Sequence, residues 1–124
     1  MRYMLLIWGH GSDVDGATEA EPQISAGGLE DGEPCWAPWA REMQARGVIL
    51  HDGAQLLGPE AATTVRSSGP EVLVADGPFA ETKEQIAGYD VIECADLDEA
   101  IYAASRHPVA LKGGAVEVRP LATT

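Results

Sequence analysis

Two residue types in this chain suit proton transfer near neutral pH. His107 is the histidine expected at a helix C-terminus, where the dipole favours the imidazolium form. Asp76 opens the run Asp76-Gly77-Pro78-Phe79 and ends a strand, where a carboxylate can border a cleft. An imidazole and a carboxylate that share a pocket form an acid–base pair. Around them stand groups able to hold a ligand: Lys83, Tyr89, Glu93, Glu117 and Arg119. Arg119 has a planar fork that suits a ligand carboxylate. The site is expected as a cavity lined by these side chains and by the turn after Asp76.

Other chemistries find less support. The three histidines, His10, His51 and His107, have no partner at i, i+4, and neither Cys35 nor Cys94 has metal-ligand spacing. The sequence therefore implies no metal and no cofactor. Gly9-His10-Gly11 follows a strand, but Val14 stands where a dinucleotide fingerprint needs glycine. Asp13-Val14-Asp15-Gly16 begins like a calcium loop, yet Ile24 replaces the closing glutamate. Cys35 near a helix start could favour a thiolate, but no base is placed beside it and an inert thiol is expected.

These residues need elements to position them. Arg2 to Trp8 is a continuous apolar run, as in a strand buried on both faces. Residues 9–33 follow, rich in glycine and acids and without Lys or Arg, and read as a solvated loop. A helix begins between Pro34 and Pro38 and stops at Gly47, with Trp36, Trp39, Ala40 and Met43 as its apolar stripe. Val48 to Leu50 starts a strand. Ala62 to Arg66 and Val72 to Ala75 form a hairpin about Ser67 to Pro70. Gly88 to Cys94 is a strand, and Asp96 with Glu99 has capping-box spacing for a helix with Leu97, Ala100, Ile101 and Ala104 inward. Pro108 ends that helix after His107, and Val116 to Arg119 is the last strand.

The order is β-α-β, hairpin, β-α-β: an α+β chain on the ferredoxin-like plan, one domain over residues 1–124. Two helices cover one face of such a sheet. Tyr89, Val91 and Glu93 share the other face, as do Glu117 and Arg119. The first strand is apolar on both faces, so a second copy is the simplest cover, giving a two-fold homodimer.

The formal net charge is −12, from 20 acidic and 8 basic residues. Such a surface repels nucleic acid and anionic lipid. The longest apolar run is too short to span a bilayer or to serve as a secretory core, so a cytoplasmic protein is expected.

The run Asp76 to Gln85, continued by Gly88-Tyr89 to Glu93, resembles the signature of the DGPF branch of the YCII-related proteins. Asp96 to Ala100, His107-Pro108, Val116 to Leu121 and the opening Arg2 to Gly9 extend the likeness. The resemblance implies a ferredoxin-like fold and a dimeric α+β barrel. Some relatives are lyases on ring-cleavage or chlorinated aromatic compounds; others are linked with extracytoplasmic-function sigma factors. The founding branch suggests a His on the first helix paired with an Asp before the Pro after the second. Those places align here with Trp36 and His107, so that pair is absent as such and His107 with Asp76 is the substitute expected. The functional expectation is a lyase or isomerase type of acid–base enzyme acting on a small organic molecule in an inter-sheet cavity. The alternative is a non-catalytic regulatory or ligand-binding protein tied to sigma-factor-dependent transcription through protein contacts.

Overall fold

The computed structural model describes residues 1–10, 34–80 and 84–122. The loop expected over 9–33 therefore lies outside the described residues from 11 onward, while Gly9 and His10 belong to the first strand.

The elements are β1 (Arg2–His10), α1 (Ala37–Ala45), β2 (Ile49–Gln55), a single 3-10 turn (Pro59–Ala61), β3 (Thr63–Ser68), β4 (Glu71–Asp76), β5 (Glu84–Glu93), α2 (Leu97–Ser105), α3 (Pro108–Leu111) and β6 (Ala115–Pro120). A four-stranded antiparallel sheet has the order β2-β5-β1-β6, and β3 pairs β4 in a separate two-stranded hairpin. This is an α+β architecture whose strand order matches the ferredoxin-like plan with an inserted hairpin. No helix among the described residues is long and apolar enough to cross a membrane.

The core lies between the helices and one sheet face. Tyr3, Leu5, Trp39, Ala40, Met43, Val48, Ile92, Cys94, Ala100, Ala103 and Ala104 form it. Leu5, Met43 and Ile92 are sealed from solvent, each a burial worth roughly 1.5–3 kcal/mol. Alanines at 100, 103 and 104 let α2 lie close on the sheet. Leu97 and Ile101, expected inward, are about half exposed, as is Trp36 at the start of α1. The small side chains occupy the close contact, and the larger apolar ones fall on its flanks.

Local signals explain the ends of the elements. Asp96 accepts the Glu99 N–H at 2.9 Å, and the Glu99 carboxylate accepts the Ala95 N–H at 2.9 Å, a reciprocal cap. Gly47 follows α1 with φ +93°, a conformation glycine takes without a Cβ clash. β2 runs past Leu50 to Gln55, longer than the apolar residues alone indicate, because pairing with β5 carries the polar stretch. Its register slips between Leu50 and Asp52, so His51 is the extra residue of a bulge.

His107 is placed differently from expectation. α2 ends at Ser105 with Arg106 as its C-cap, and His107 is the N-cap of α3. Pro108 begins that short helix, its fixed φ being suited to the first helical position.

Candidate functional site

A cavity of about 450 Å³ opens on the helix side of the sheet, bordered by β2, β5, α1 and the start of α3, and not on the opposite, inter-sheet face where the strand parities led it to be expected. Its wall includes Ile7, Trp36, Trp39, Leu50, Asp90 and His107. The volume is that of a small-ligand site.

His107 is the one polar residue of this group sealed within the core, with 6% of its surface exposed. A buried imidazole needs partners for both nitrogens. Its Nδ1 accepts the Val109 N–H at 3.2 Å. The ring proton is thereby assigned to Nε2, which faces Asp90 Oδ2 at 3.5 Å. That separation is long for a hydrogen bond, as catalytic contacts often are before a ligand closes on them. The edge of Trp39 packs on the imidazole, ring centroids 4.9 Å apart and planes at 65°. Trp39 is itself tied down by its Nε1 donating to Ala103 O at 2.8 Å.

Asp90 is the less buried member, its side chain 24% exposed against 7% for His107. Register explains its opening. Asp90 pairs with Gly53 across β5 and β2. A Cβ at Gly53 would stand 2.1 Å from Asp90 Oδ1, so only glycine leaves that oxygen its place. Gly53 and Gly88 both border the cavity. The arrangement offers one carboxylate oxygen held toward an imidazole N–H and the other lying where the cavity wall lacks a side chain. Such a group can accept or return a proton.

The residues singled out in the sequence divide among three places. His107 and Tyr89 border the cavity. Tyr89 pairs with Leu6, which gives its side chain the face away from the helices. Glu93, Glu117 and Arg119 lie on that second face too, in register with Arg2, Leu6 and Met4. There Glu117 accepts hydrogen bonds from Arg119 and from Trp8 Nε1, the latter at 3.0 Å, and these two donors hold its carboxyl below the usual range. Glu93 bonds His51 Nε2 at 2.8 Å and lies 3.6 Å from Arg2 Nε. The His51 contact first, and the Arg2 charge after it, lower its carboxyl. Lys83 lies outside the described residues.

Asp76 is the exposed end of β4 and does not border the cavity. The carboxylate that His107 meets is Asp90, not Asp76. Asp76 ends a strand of the separate two-stranded hairpin, whereas Asp90 belongs to the main sheet that borders the cavity. The turn beyond is closed by Gly77 N–H donating to Ala62 O at 2.7 Å and by Thr64 Oγ1 donating to Gly77 O at 2.7 Å. Gly77 has φ +95°, not the extended conformation expected before proline.

Asp90 was legible in principle. It shares strand parity with Ile92, two residues on, and so belongs to the helix-covered face. A charged side chain on a buried face is the informative exception to the hydrophobic pattern.

Beside the hairpin base, Trp8, Leu56, Leu57, Pro59, Phe79 and Ile86 border an apolar groove of about 620 Å³. Arg66 covers one face of Phe79 at 4.6 Å.

An uncharacterized protein of Rhizobium meliloti (strain 1021) is 50% identical over 70 residues, a stretch that spans 56% of this chain and 56% of that protein. The model of the YCII-related domain matches residues 1–123, and the chain belongs to the YCII-related family.

Proposed function

We propose that this protein binds a small organic molecule in the cavity between the helices and the sheet and exchanges a proton with it at Asp90 Oδ1. The reaction class is a lyase or isomerase step. The observation that carries the reading is the buried His107 imidazole, with Nδ1 committed to Val109 N–H and Nε2 aimed at Asp90 Oδ2. His107 acts as the group that orients the carboxylate through its Nε2–H, and Asp90 is the proton acceptor. This division of labour follows from the ring's free valences: neither nitrogen is left for a ligand. The test is exchange of ligand C–H for deuterium in heavy water, followed by NMR across mixtures of small carbonyl and hydroxy compounds. Signal loss that depends on protein and vanishes in Asp90→Asn supports the reading. Exchange that persists in Asp90→Asn sinks it.

The working unit in this reading is a homodimer joined through the second sheet face. Met4, Leu6 and Trp8 are only half buried there, and the apolar groove beside them continues the uncovered surface. An apolar face of this kind favours association.

The hairpin favours a second reading, in which the chain acts through contacts with another protein. Val65, Val72 and Val74 are each more than half exposed, and an isolated two-stranded hairpin is marginal in water. Capture of a partner that Val74→Lys abolishes, in a protein without exchange activity, would favour it.

A further inference from the structure

We infer that the ligand of this cavity is an organic cation with an apolar body, a quaternary or protonated amine and not a carboxylate. The inference rests on the cavity being the ligand site, as proposed above, and specifies the charge that the site selects.

Three observations converge. The first is the sign of the wall. Among the described residues bordering the cavity there is no Lys or Arg. Asp90 is the carboxylate whose register aims it inward. Asp52 also borders the space, but it pairs with Val91, and its Oδ1 accepts the Gly53 N–H at 2.8 Å. The His107 N–H beside Asp90 is a neutral donor when Nδ1 accepts from Val109. An anionic ligand would bring its charge against Asp90 with nothing opposite to hold it, at a desolvation cost.

The second is the aromatic wall. Trp36 is half exposed at the N-cap of α1, and it borders the cavity with Trp39. An indole face is the best side-chain surface for a desolvated cation. A cation seated there leaves Asp90 Oδ1 free for the proton transfer proposed above while supplying that carboxylate with an opposite charge.

The third is the field of the whole chain. A net charge of −12 raises the local concentration of cations and lowers that of anions near any opening. The polar remainder of the wall includes Gln44 and Gln55, which are neutral, and His51, whose Nε2 is already engaged at 2.8 Å by the Glu93 carboxylate.

The test uses three probes with one ring: benzyltrimethylammonium, benzyl alcohol and phenylacetate. Binding is followed by NMR on the full chain, reading the indole N–H signals of Trp36 and Trp39 and the amides of Gly53 and Asp90. The expected result is that benzyltrimethylammonium binds at least roughly tenfold more tightly than phenylacetate, a ratio worth about 1.4 kcal/mol. Asp90→Asn and Trp36→Leu, the latter at an exposed position, each reduce that ratio several-fold. Raising salt weakens only the cation. If phenylacetate or benzyl alcohol perturbs the same signals at equal or lower concentration, the cation inference is overturned and the cavity reading stands. If none of the three perturbs these signals at millimolar concentration, both fall. A cation preference unchanged in both variants also overturns the inference, because the charge would then be read elsewhere.

Discussion

Nε2 of His107 stands 3.5 Å from Oδ2 of Asp90, joining the N-cap of a four-residue helix to the middle of an inner strand. The same ring caps α3 through Nδ1 and faces a carboxylate through Nε2. Replacing His107 therefore does two things at once. His107→Ala removes the acceptor for Val109 N–H and leaves Asp90 without its donor. A stability loss of about 1–2 kcal/mol is expected from the cap alone. His107→Asn keeps a capping oxygen and recovers most of that loss, but it does not reach Asp90. Urea unfolding of the two variants measures the difference; equal losses would mean that the cap does not matter.

Asp90→Asn keeps shape and removes the proposed proton acceptor. Protein-dependent deuterium exchange into a ligand is expected to fall by roughly 10²–10⁴, the usual worth of a general acid or base. Folding is expected to survive, since His107 can still donate to the amide oxygen. The paired readouts are the exchange rate and the thermal midpoint.

Gly53→Ala tests the opening. The added Cβ would stand 2.1 Å from Asp90 Oδ1 and 3.0 Å from the Tyr89 carbonyl oxygen. The carboxylate is the flexible party and has to rotate away. Exchange and cation binding are expected to drop as in Asp90→Asn, with a smaller fall in stability than a backbone clash would bring. A fully active Gly53→Ala would show that Oδ1 is not the working atom.

Acid stability provides a separate check on the second sheet face. The carboxyls of Glu93 and Glu117 are lowered when folded, by His51 and by Arg119 with Trp8 respectively. The unfolded chain then binds more protons than the folded one in the window below the ordinary glutamate value of 4.5. Their contribution is present above that value and is lost as pH falls through the lowered folded values. In the single chain both side chains are more than a third exposed, so the effect there is small and salt-sensitive, and a dimer joined through this face would enlarge it. Glu93→Gln is expected to flatten the acid limb of a stability–pH curve and to change nothing near pH 7 beyond the lost contact.

The dimer proposal is open to direct measurement. At micromolar concentration the mass is expected at twice 13.1 kDa, with roughly 1,200–2,000 Å² buried in total. Leu6→Asp places a charge at the centre of the second face, between Tyr89 and Glu117, and is expected to yield monomer that keeps its fold. A wild-type chain that is monomeric under these conditions rules the proposal out.

Local chemistry determined much of this molecule from the sequence. The Asp96–Glu99 cap, the Gly47 stop, the Gly69-Pro70 hairpin turn and the strand parities depend on interactions a few residues long, and short-range signals carry them. The split of β1 into a helix-facing set and a second set, Met4, Leu6 and Trp8, was legible in the same way. The pairing of His107 was not. The two ends of that contact are set by different elements, and the choice between Asp76 and Asp90 turns on the hairpin forming a sheet of its own and on the start of α3 meeting β5. The bulge at His51 is a second feature that spacing along one strand does not reveal. Uninterrupted alternation from Leu50 would put Asp52 on the cavity side, opposite Asp90. One extra residue moves Asp52 off that face and brings Gly53 to it. Sequence periodicity counts residues along one strand, whereas register is fixed by two strands together. Only the assembled sheet could decide that a glycine, and not a second carboxylate, faces Asp90.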